Sequence, residues 1–580
     1  MSHLIRHEHH EDKFDDFQSQ LLLPKKLSQL GPGVTWHDPD GDGDDDLFIS
    51  SGKGGALACY RNDGRDGFRR LDEVLFVAKS AYDQTTILGW WGPDSLNSLL
   101  IGSSNLEERQ TKNSFITKYT IKDSQTRLQA KIDGDLSSTG PMAMADYDLD
   151  GDLDLFAGGR AVPNRYPEPA SSRLYRNDNG NFTFDADNSS KLDRIGLVSG
   201  AVFSDIDADG DADLVLAVEW GPVMVFRNES GAFSNATEEL GLSAYNGWWQ
   251  GVTTGDLNED GKLDIIATNW GLNSLYHNRF NTENPLEIYY SDFDKNGTID
   301  IVESYYEPEM QKQVPERDLY WLQLAIPNIR YQVPDNATFS TASVQEIIGP
   351  RLKEAGKSQA NTLAHTVFFN RGDRFEAVEL PAEAQFAPAF YAGVADFDGD
   401  GHDDVFLSQN FFALQIEDSR ADAGRGLWLR GDGSGNLFPV SGQESGVKVY
   451  GEQRGAALSD YDQDGRIDLA VSQNGASTKL YHNIGAKPGL RIRLAGNDGN
   501  RQGVGATIRL TYENGFGPAR EVHLGSGYWS QDSRVQVMGV REAVKSIQVR
   551  WQGGKITKTV VPESARDVTI FFDGGLKVNF

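Results

Sequence analysis

The sequence predicts an all-β protein: a β-propeller of seven or eight four-stranded blades, followed by a small C-terminal β domain of sandwich-like type. Three observations predict it. A nine-residue acidic pattern recurs seven times, a second Asn-containing element follows most copies, and short β-prone runs flank both. Eight units can be counted, one of them degenerate.

The pattern is Asp-x-Asp/Asn-x-Asp/Asn-Gly-x-x-Asp. Its oxygen-bearing positions are 1, 3, 5 and 9. They are Asp38, Asp40, Asp42 and Asp46; Asp146, Asp148, Asp150 and Asp154; Asp205, Asp207, Asp209 and Asp213. The next two copies are Asp256, Asn258, Asp260 and Asp264, then Asp292, Asp294, Asn296 and Asp300. The last two are Asp396, Asp398, Asp400 and Asp404, then Asp460, Asp462, Asp464 and Asp468. Small or apolar residues such as Ala143-Met144-Ala145 usually precede a copy, and runs such as Val215-Leu216-Ala217 follow it. That reads as strand, tight loop, strand.

The second element lies about 20–30 residues later: an apolar or aromatic pair, one residue, Asn, then a turn. Examples are Leu174-Tyr175-Arg176-Asn177, Val225-Phe226-Arg227-Asn228, Leu275-Tyr276-His277-Asn278 and Leu480-Tyr481-His482-Asn483. Asn and Gly there suit a hairpin turn, and two hairpins make one blade. The gap after Asp38 has room for two units. It contains Gly89-Trp90-Trp91-Gly92-Pro93-Asp94 and Leu99-Leu100-Ile101-Gly102, which read as a unit whose loop lost its carboxylates. The gap after Asp292 contains an insertion near 315–360. Its segment Val344–Ala355 has helical spacing that Gly349-Pro350 would interrupt. The expected organisation is a lead-in strap over 1–30, a propeller over 31–487 and a β domain over 488–580. The last carries strand runs Leu490–Leu494, Thr507–Tyr512, Arg534–Val540, Ser546–Trp551 and Val568–Phe572.

Oxygen ligands at 1, 3, 5 and 9 with Gly at 6 are what a Ca²⁺ loop needs, since this hard cation takes 6–8 oxygens. Mg²⁺ keeps its waters and demands a strict octahedron, so it fits less well. An EF-hand would place Glu at position 12. That position holds Ile49, Ala157, Leu216, Ala267, Glu303, Leu407 and Val471, so only the Asp292 loop satisfies it, and the strand-like run before Asp292 argues for a β loop there too. Three or four carboxylates facing one point repel, and without a cation some would take up protons. The expectation is therefore up to seven Ca²⁺, mainly structural, offsetting roughly half of a formal net charge of −30.

That net charge excludes a nucleic-acid partner, because phosphate binding needs clustered Lys and Arg. Cys59 is the only cysteine, which excludes an intrachain disulfide and a multi-cysteine zinc site. No apolar run reaches membrane-spanning length. The N-terminal residues lack the apolar core of a secretory signal, so the chain is either cytoplasmic or a portion of a longer precursor that carries one. His3, His7, His9 and His10 read as a flexible polar terminus. Trp90, Trp91, Trp248, Trp249 and Trp270 read as packing rather than a sugar-binding rim. Arg371-Gly372-Asp373 and Arg430-Gly431-Asp432 read as turn chemistry rather than adhesion tripeptides. Sequons begin at Asn181, Asn188, Asn228, Asn235, Asn296 and Asn336. No catalytic motif is present, so no residue is assigned as catalytic.

The repeats resemble the FG-GAP/VCBS type, the integrin-α-like propeller with Ca²⁺ in its hairpin loops. The C-terminal stretch resembles the ASPIC/UnbV domain of cartilage-acidic-protein-like proteins through Gly503-Val504-Gly505-Ala506, Gly527-Tyr528-Trp529-Ser530-Gln531 and Val549-Arg550-Trp551-Gln552-Gly553-Gly554. Where that family has a His-Phe-Gly-Leu-Gly-like run, this chain has Val535-Gln536-Val537-Met538-Gly539. The resemblance implies a secreted or surface-attached protein of adhesion or recognition type, monomeric or part of a longer chain. Its partner would be a polysaccharide or a surface protein. Two alternatives stand beside it: a carbohydrate lyase or hydrolase working in the propeller channel, and a structural spacer.

Overall fold

Each acidic nonapeptide reverses the chain because its sixth residue is Gly in the left-handed region, with φ from +83° at Gly465 to +104° at Gly210. The reversal joins the first and second strands of a blade, as the sequence pattern requires. In the computed structural model, which describes residues 1–64, 67–92, 96–108, 112–122 and 125–579, six of the seven loops sit in propeller blades.

Seven antiparallel sheets form the ring. Their innermost strands are Val34–His37, Gln84–Trp91, Thr139–Ala145, Leu197–Ser204, Val252–Gly255, Ala389–Ala395 and Gln453–Ser459, numbered here as blades 1 to 7. Each inner strand packs against the next, and that of blade 7 packs against that of blade 1. Hydroxyls of the second strands stitch neighbours together. Thr268 donates to the Phe390 carbonyl (2.8 Å), Ser408 to Arg454 (2.6 Å) and Ser472 to Pro32 (2.7 Å), the last closing the ring.

The blade count is thus seven. The degenerate unit is blade 2, although Pro93-Asp94 of its signature lie outside the described residues. The Asp292 unit is not a blade. It belongs to a separate four-stranded sheet, Leu286–Ser291, Asp300–Glu307, Lys312–Pro315 and Gly356–Ala360, inserted between the second and third strands of blade 5. The third strand of blade 5 is Thr366–Asn370, so Leu275-Tyr276-His277-Asn278 is not a blade element. Tyr276 instead buries its hydroxyl on Glu303 (2.8 Å). Short helices Leu319–Ala325 and Val344–Ile348 complete the insertion, the second ending at Gly349. Blade 7 has three strands rather than four.

The C-terminal domain is a pair of sheets packed face to face. One is built on Leu490–Ala495 and Asp567–Phe571, the other on Thr507–Tyr512 and Ser546–Arg550, with Ile492, Ile508, Ile547, Val549 and Ile570 between them. From it, residues 524–534 enter the propeller channel and meet all seven inner strands. The Leu524 and Gly527 carbonyls accept N–H groups of Met144 (2.8 Å) and Ala201 (3.0 Å), and Ser530-Gln531 pair with Val34-Thr35. Gln531 accepts from the Gly89 N–H (2.9 Å). Asp532 accepts from Tyr391 Oη (2.7 Å) and the Leu458 N–H (2.9 Å). Gly527 lies against Val252 with φ +78°, and a Cβ there would sit 2.1 Å from the Val252 carbonyl oxygen. Gly527→Ala is accordingly expected to cost about 2–3 kcal/mol, from left-handed strain and a backbone clash. Urea unfolding checks it, and a cost below about 0.5 kcal/mol would contradict so tight a fit.

The opposite mouth is closed by the lead-in. Leu22, Leu23, Leu27 and Leu30 join one apolar cluster with Trp220, Trp248, Trp270, Trp529 and the insertion residues Ile326, Ile329, Ile347 and Ile348. Lys25 descends into it and pairs with Glu219 (2.9 Å), which also faces Arg160 and Tyr166 Oη (2.7 Å); all four side chains are buried. Trp248 and Trp270 flank the Lys25 ammonium at 5.5 and 4.8 Å. Trp90 and Trp249 are buried as well. Two of the four terminal histidines are packed rather than solvated, while His3 and His10 are exposed. His7 is buried with Nδ1 on Thr478 (2.8 Å), and His9 is buried between the N–H groups of Gly52 and Gly475 (both 3.1 Å). Blade 7 lacks a fourth strand, and the N-terminal residues dock on its open edge: Ser2 bonds the Leu480 N–H and Glu8 bridges to Ser477.

Candidate metal loops

All seven loops share one hydrogen-bond plan. The position-6 N–H donates to Oδ2 of the position-1 Asp, for example Gly151 to Asp146 (3.1 Å), Gly261 to Asp256 (3.0 Å) and Gly401 to Asp396 (2.8 Å). The position-7 N–H donates to Oδ1 at position 5, as Asp152 to Asp150 (2.9 Å) and Arg466 to Asp464 (2.9 Å). These bonds turn the remaining oxygens inward. In the triads Asp38/Asp40/Asp42, Asp146/Asp148/Asp154 and Asp205/Asp207/Asp213, one oxygen from each residue lies within 4.8 Å of the other two.

The position-9 aspartate ties the two sequence elements of a blade together. Its Oδ1 accepts the N–H of the Asn in the second element: Asn62 on Asp46 (2.7 Å), Asn177 on Asp154, Asn228 on Asp213 and Asn370 on Asp264 (each 2.8 Å), and Asn483 on Asp468 (2.7 Å). Gly431 does the same on Asp404 (2.7 Å). The Asn side chain then reaches the preceding blade. Asn62 donates to the Tyr461 carbonyl, Asn228 to Tyr147 and Asn370 to Ile206 (each 2.7 Å), and Asn483 to Phe397 (2.8 Å). The Asn is thus more than a turn former; it latches one blade to the acidic loop of its neighbour. This use buries Asn228 almost completely, and Asn188 is buried likewise, so neither sequon is open in the folded chain.

A basic residue just before that Asn, or before Gly431, faces the position-3 carboxylate. Arg61 lies 3.0 Å from Asp40, Arg176 3.2 Å from Asp148, Arg227 3.6 Å from Asp207, Arg430 2.9 Å from Asp398 and His482 2.9 Å from Asp462. In blade 5, position 3 is the neutral Asn258, and the residue in question is Phe369. The charge pair is lost as a pair. Sequence reading missed this partner, yet the Arg and His of the second element were its signal.

The loops fall into two groups at position 1. In the Asp38, Asp292, Asp396 and Asp460 loops, Oδ1 accepts a backbone N–H from within the loop: Gly41 (2.7 Å), Asn296 (2.9 Å), Gly399 (2.7 Å) and Asp464 (2.9 Å). In the Asp146, Asp205 and Asp256 loops, Oδ1 is buried without a partner. A buried carboxylate oxygen with no donor is costly, and a hard cation removes that cost. Burial first, then the neighbouring carboxylates, push Asp146 and Asp205 up to about 7 and Asp154 up to about 9. Burial lifts Asp256 to about 7 as well, with Asp403 adding to it. The residues present therefore fit a divalent ion, best in these three loops.

The C-terminal domain sits on the loop face of the ring. Arg491 pairs with Asp460, Arg550 with Asp205 (3.2 Å) and Arg509 approaches Asp256 (3.8 Å), each at position 1 of a loop. Arg466 (2.5 Å from Asp464) and His482 face the Asp460 loop too.

Residues 146–216 and 205–267 match the family model of the FG-GAP-like repeat, and residues 496–575 match that of ASPIC and UnbV. The β-propeller therefore carries FG-GAP-like repeats. The chain carries a C-terminal ASPIC/UnbV domain. Among solved structures it is similar to Saccharomyces cerevisiae Sqt1, at 8% identity over 79% of this chain and 97% of that one, with a TM-score of 0.37. A Lactobacillus plantarum protein is similar at 9% identity over 79% and 96%, TM-score 0.34. The Penicillium chrysogenum alpha-L-arabinanase complexed with arabinobiose is similar at 10% identity over 79% and 94%, TM-score 0.30. No curated protein matches the sequence.

Proposed function

We propose that the chain is a calcium-braced recognition module of the cell surface or extracellular space, with a polysaccharide or surface protein as ligand. The orphaned Oδ1 atoms of Asp146, Asp205 and Asp256 carry the calcium part of this reading, because a cation in each loop would give them a partner and offset the carboxylates around them. Calcium would be held by the position 1, 3, 5 and 9 side chains. When bound it supplies charge neutralisation and a rigid loop, with no chemistry of its own.

The ligand part rests on a groove of about 700 Å³ at the rim between blades 6 and 7. Trp428 and Tyr481 offer aromatic faces, and Arg430, Glu444 and His482 offer polar groups beside them, the mixture that suits a sugar chain. Residues 524–534 and the lead-in occupy the two mouths of the channel, which argues against a lyase or hydrolase working there. A glycan array with the full chain tests the reading, with Trp428→Ala expected to weaken any hit at least tenfold. Binding that survives this substitution places the ligand elsewhere, and turnover of a bound glycan restores the enzymatic alternative. An array without hits favours the spacer.

A further inference from the structure

Outside the seven loops lies an acidic cluster of different build. One carboxylate oxygen each from Glu11, Asp83 and Glu107 lies within 4.8 Å of the other two. The three come from distant parts of the chain: the lead-in, the connection between blades 1 and 2, and the loop after the second strand of blade 2. They sit away from the Asp-x-Asp loops, where the lead-in crosses the seam at which the ring closes. His9 bonds the Ala476 carbonyl of blade 7 (3.1 Å), and Asp12 bonds the Lys53 carbonyl of blade 1 (2.8 Å).

Two further observations point to a ligand. Glu107 is 7% exposed, and its Oε1 is shielded from solvent with no hydrogen-bond partner. Trp529, whose indole Nε1 is buried and equally without a partner, lines a cavity of about 10 Å³ that Glu11 and Asp83 also line. That volume is room for about one water. The local cations fall short. The Lys53 ammonium stands 3.7 Å from Glu107 and 3.5 Å from Glu108, and Arg454 is bonded to Glu452 (2.6 Å).

We infer that Glu11, Asp83 and Glu107 form a further site for a hard divalent cation, one that pins the lead-in across the blade 7–blade 1 seam. Three carboxylates give it the oxygen-only donor set that Ca²⁺, Mg²⁺ or Mn²⁺ accepts. The ion would act as a clasp: with it, the segment before Gly31 is held; without it, the three acids drive Glu11 outward.

Native mass spectrometry of the full chain with Ca²⁺, Mg²⁺ or Mn²⁺ counts the ions. Glu107→Gln and Asp83→Asn, near-isosteric amides, are each expected to bind one ion fewer than the unsubstituted chain. Trypsin cleavage at Lys13 is expected to quicken at least fivefold in both variants, and in the unsubstituted chain after EDTA. Equal ion counts in all three proteins with every metal, or cleavage that neither substitution nor EDTA changes, would overturn the inference. Empty Asp-x-Asp loops would lower the count in all three proteins alike and leave the one-ion difference standing.

Discussion

Chelation with EGTA is expected to lower the melting temperature by on the order of 10 °C at neutral pH. A ligand held 100-fold above its dissociation constant stabilises the native state by about 2.7 kcal/mol. The Asp146, Asp205 and Asp256 loops together would therefore contribute about 8 kcal/mol. For a chain this long, about 1 kcal/mol moves the midpoint by roughly 1 °C, from an unfolding entropy near 2.1 cal/mol/K per residue. The pH dependence has a definite sign. Asp46, Asp154 and Asp468 titrate near 9 in the ion-free fold, far above an unfolded aspartate. The native state then holds more protons than the unfolded one, so ion-free stability is fullest below about pH 4 and falls as pH rises toward about 9. With calcium bound the carboxylates stay ionised and that slope flattens. Calorimetry with and without EGTA at pH 6 and pH 8 measures both effects; coincident melts would leave the loops as ordinary turns.

Glu219→Gln is expected to destabilise the chain by about 3–5 kcal/mol, because removing one partner of a buried ion pair leaves charge uncompensated. Lys25, Arg160 and Tyr166 all converge on this one carboxylate, and each is buried. Burial alone would raise the Glu219 pKa, but Arg160 and Lys25 hold it down, at about 2. The amide keeps the shape and loses the anion, leaving two cations facing each other beneath Trp248 and Trp270. A shift of the urea midpoint measures the loss. Because Lys25 comes from the lead-in, the same substitution is expected to expose that segment to trypsin. A variant within about 1 kcal/mol of the parent would show that the chamber tolerates bare charge.

The loops were legible because each is local. Nine consecutive residues carry both the turn and the carboxylates, so a pattern search finds all seven. Blade number was not, because the insertion in blade 5 carries an Asp292 loop with the same spacing as a blade's own. Nothing local separates a hairpin in the ring from a hairpin beside it; only the pairing of Asp264–Ala267 with Thr366–Asn370, about a hundred residues on, does. The terminal histidines misled for a related reason. A polar run reads as solvated unless its partners are known, and Thr478 and Gly475, which hold His7 and His9, lie more than 400 residues away on blade 7. Residues 524–534 looked like part of an ordinary β domain, since Gly527 and Asp532 acquire their meaning only from Val252, Tyr391 and Leu458. The second element was found, but its Asn was credited with a turn when its larger task is to hold the neighbouring loop.

The segment that fills the hub is synthesised after every strand that surrounds it. While blades 1 to 7 emerge, the seven inner strands have no Leu524–Arg534 to pair with, and the carbonyls and N–H groups of Met144, Ala201 and Leu458 face an open bore. The ring must therefore either stay unclosed or hold water at its axis until the last domain arrives. Release of a chain cut short before residue 524 would yield a wheel without an axle, its blades joined by loops, latches and the lead-in at one mouth alone.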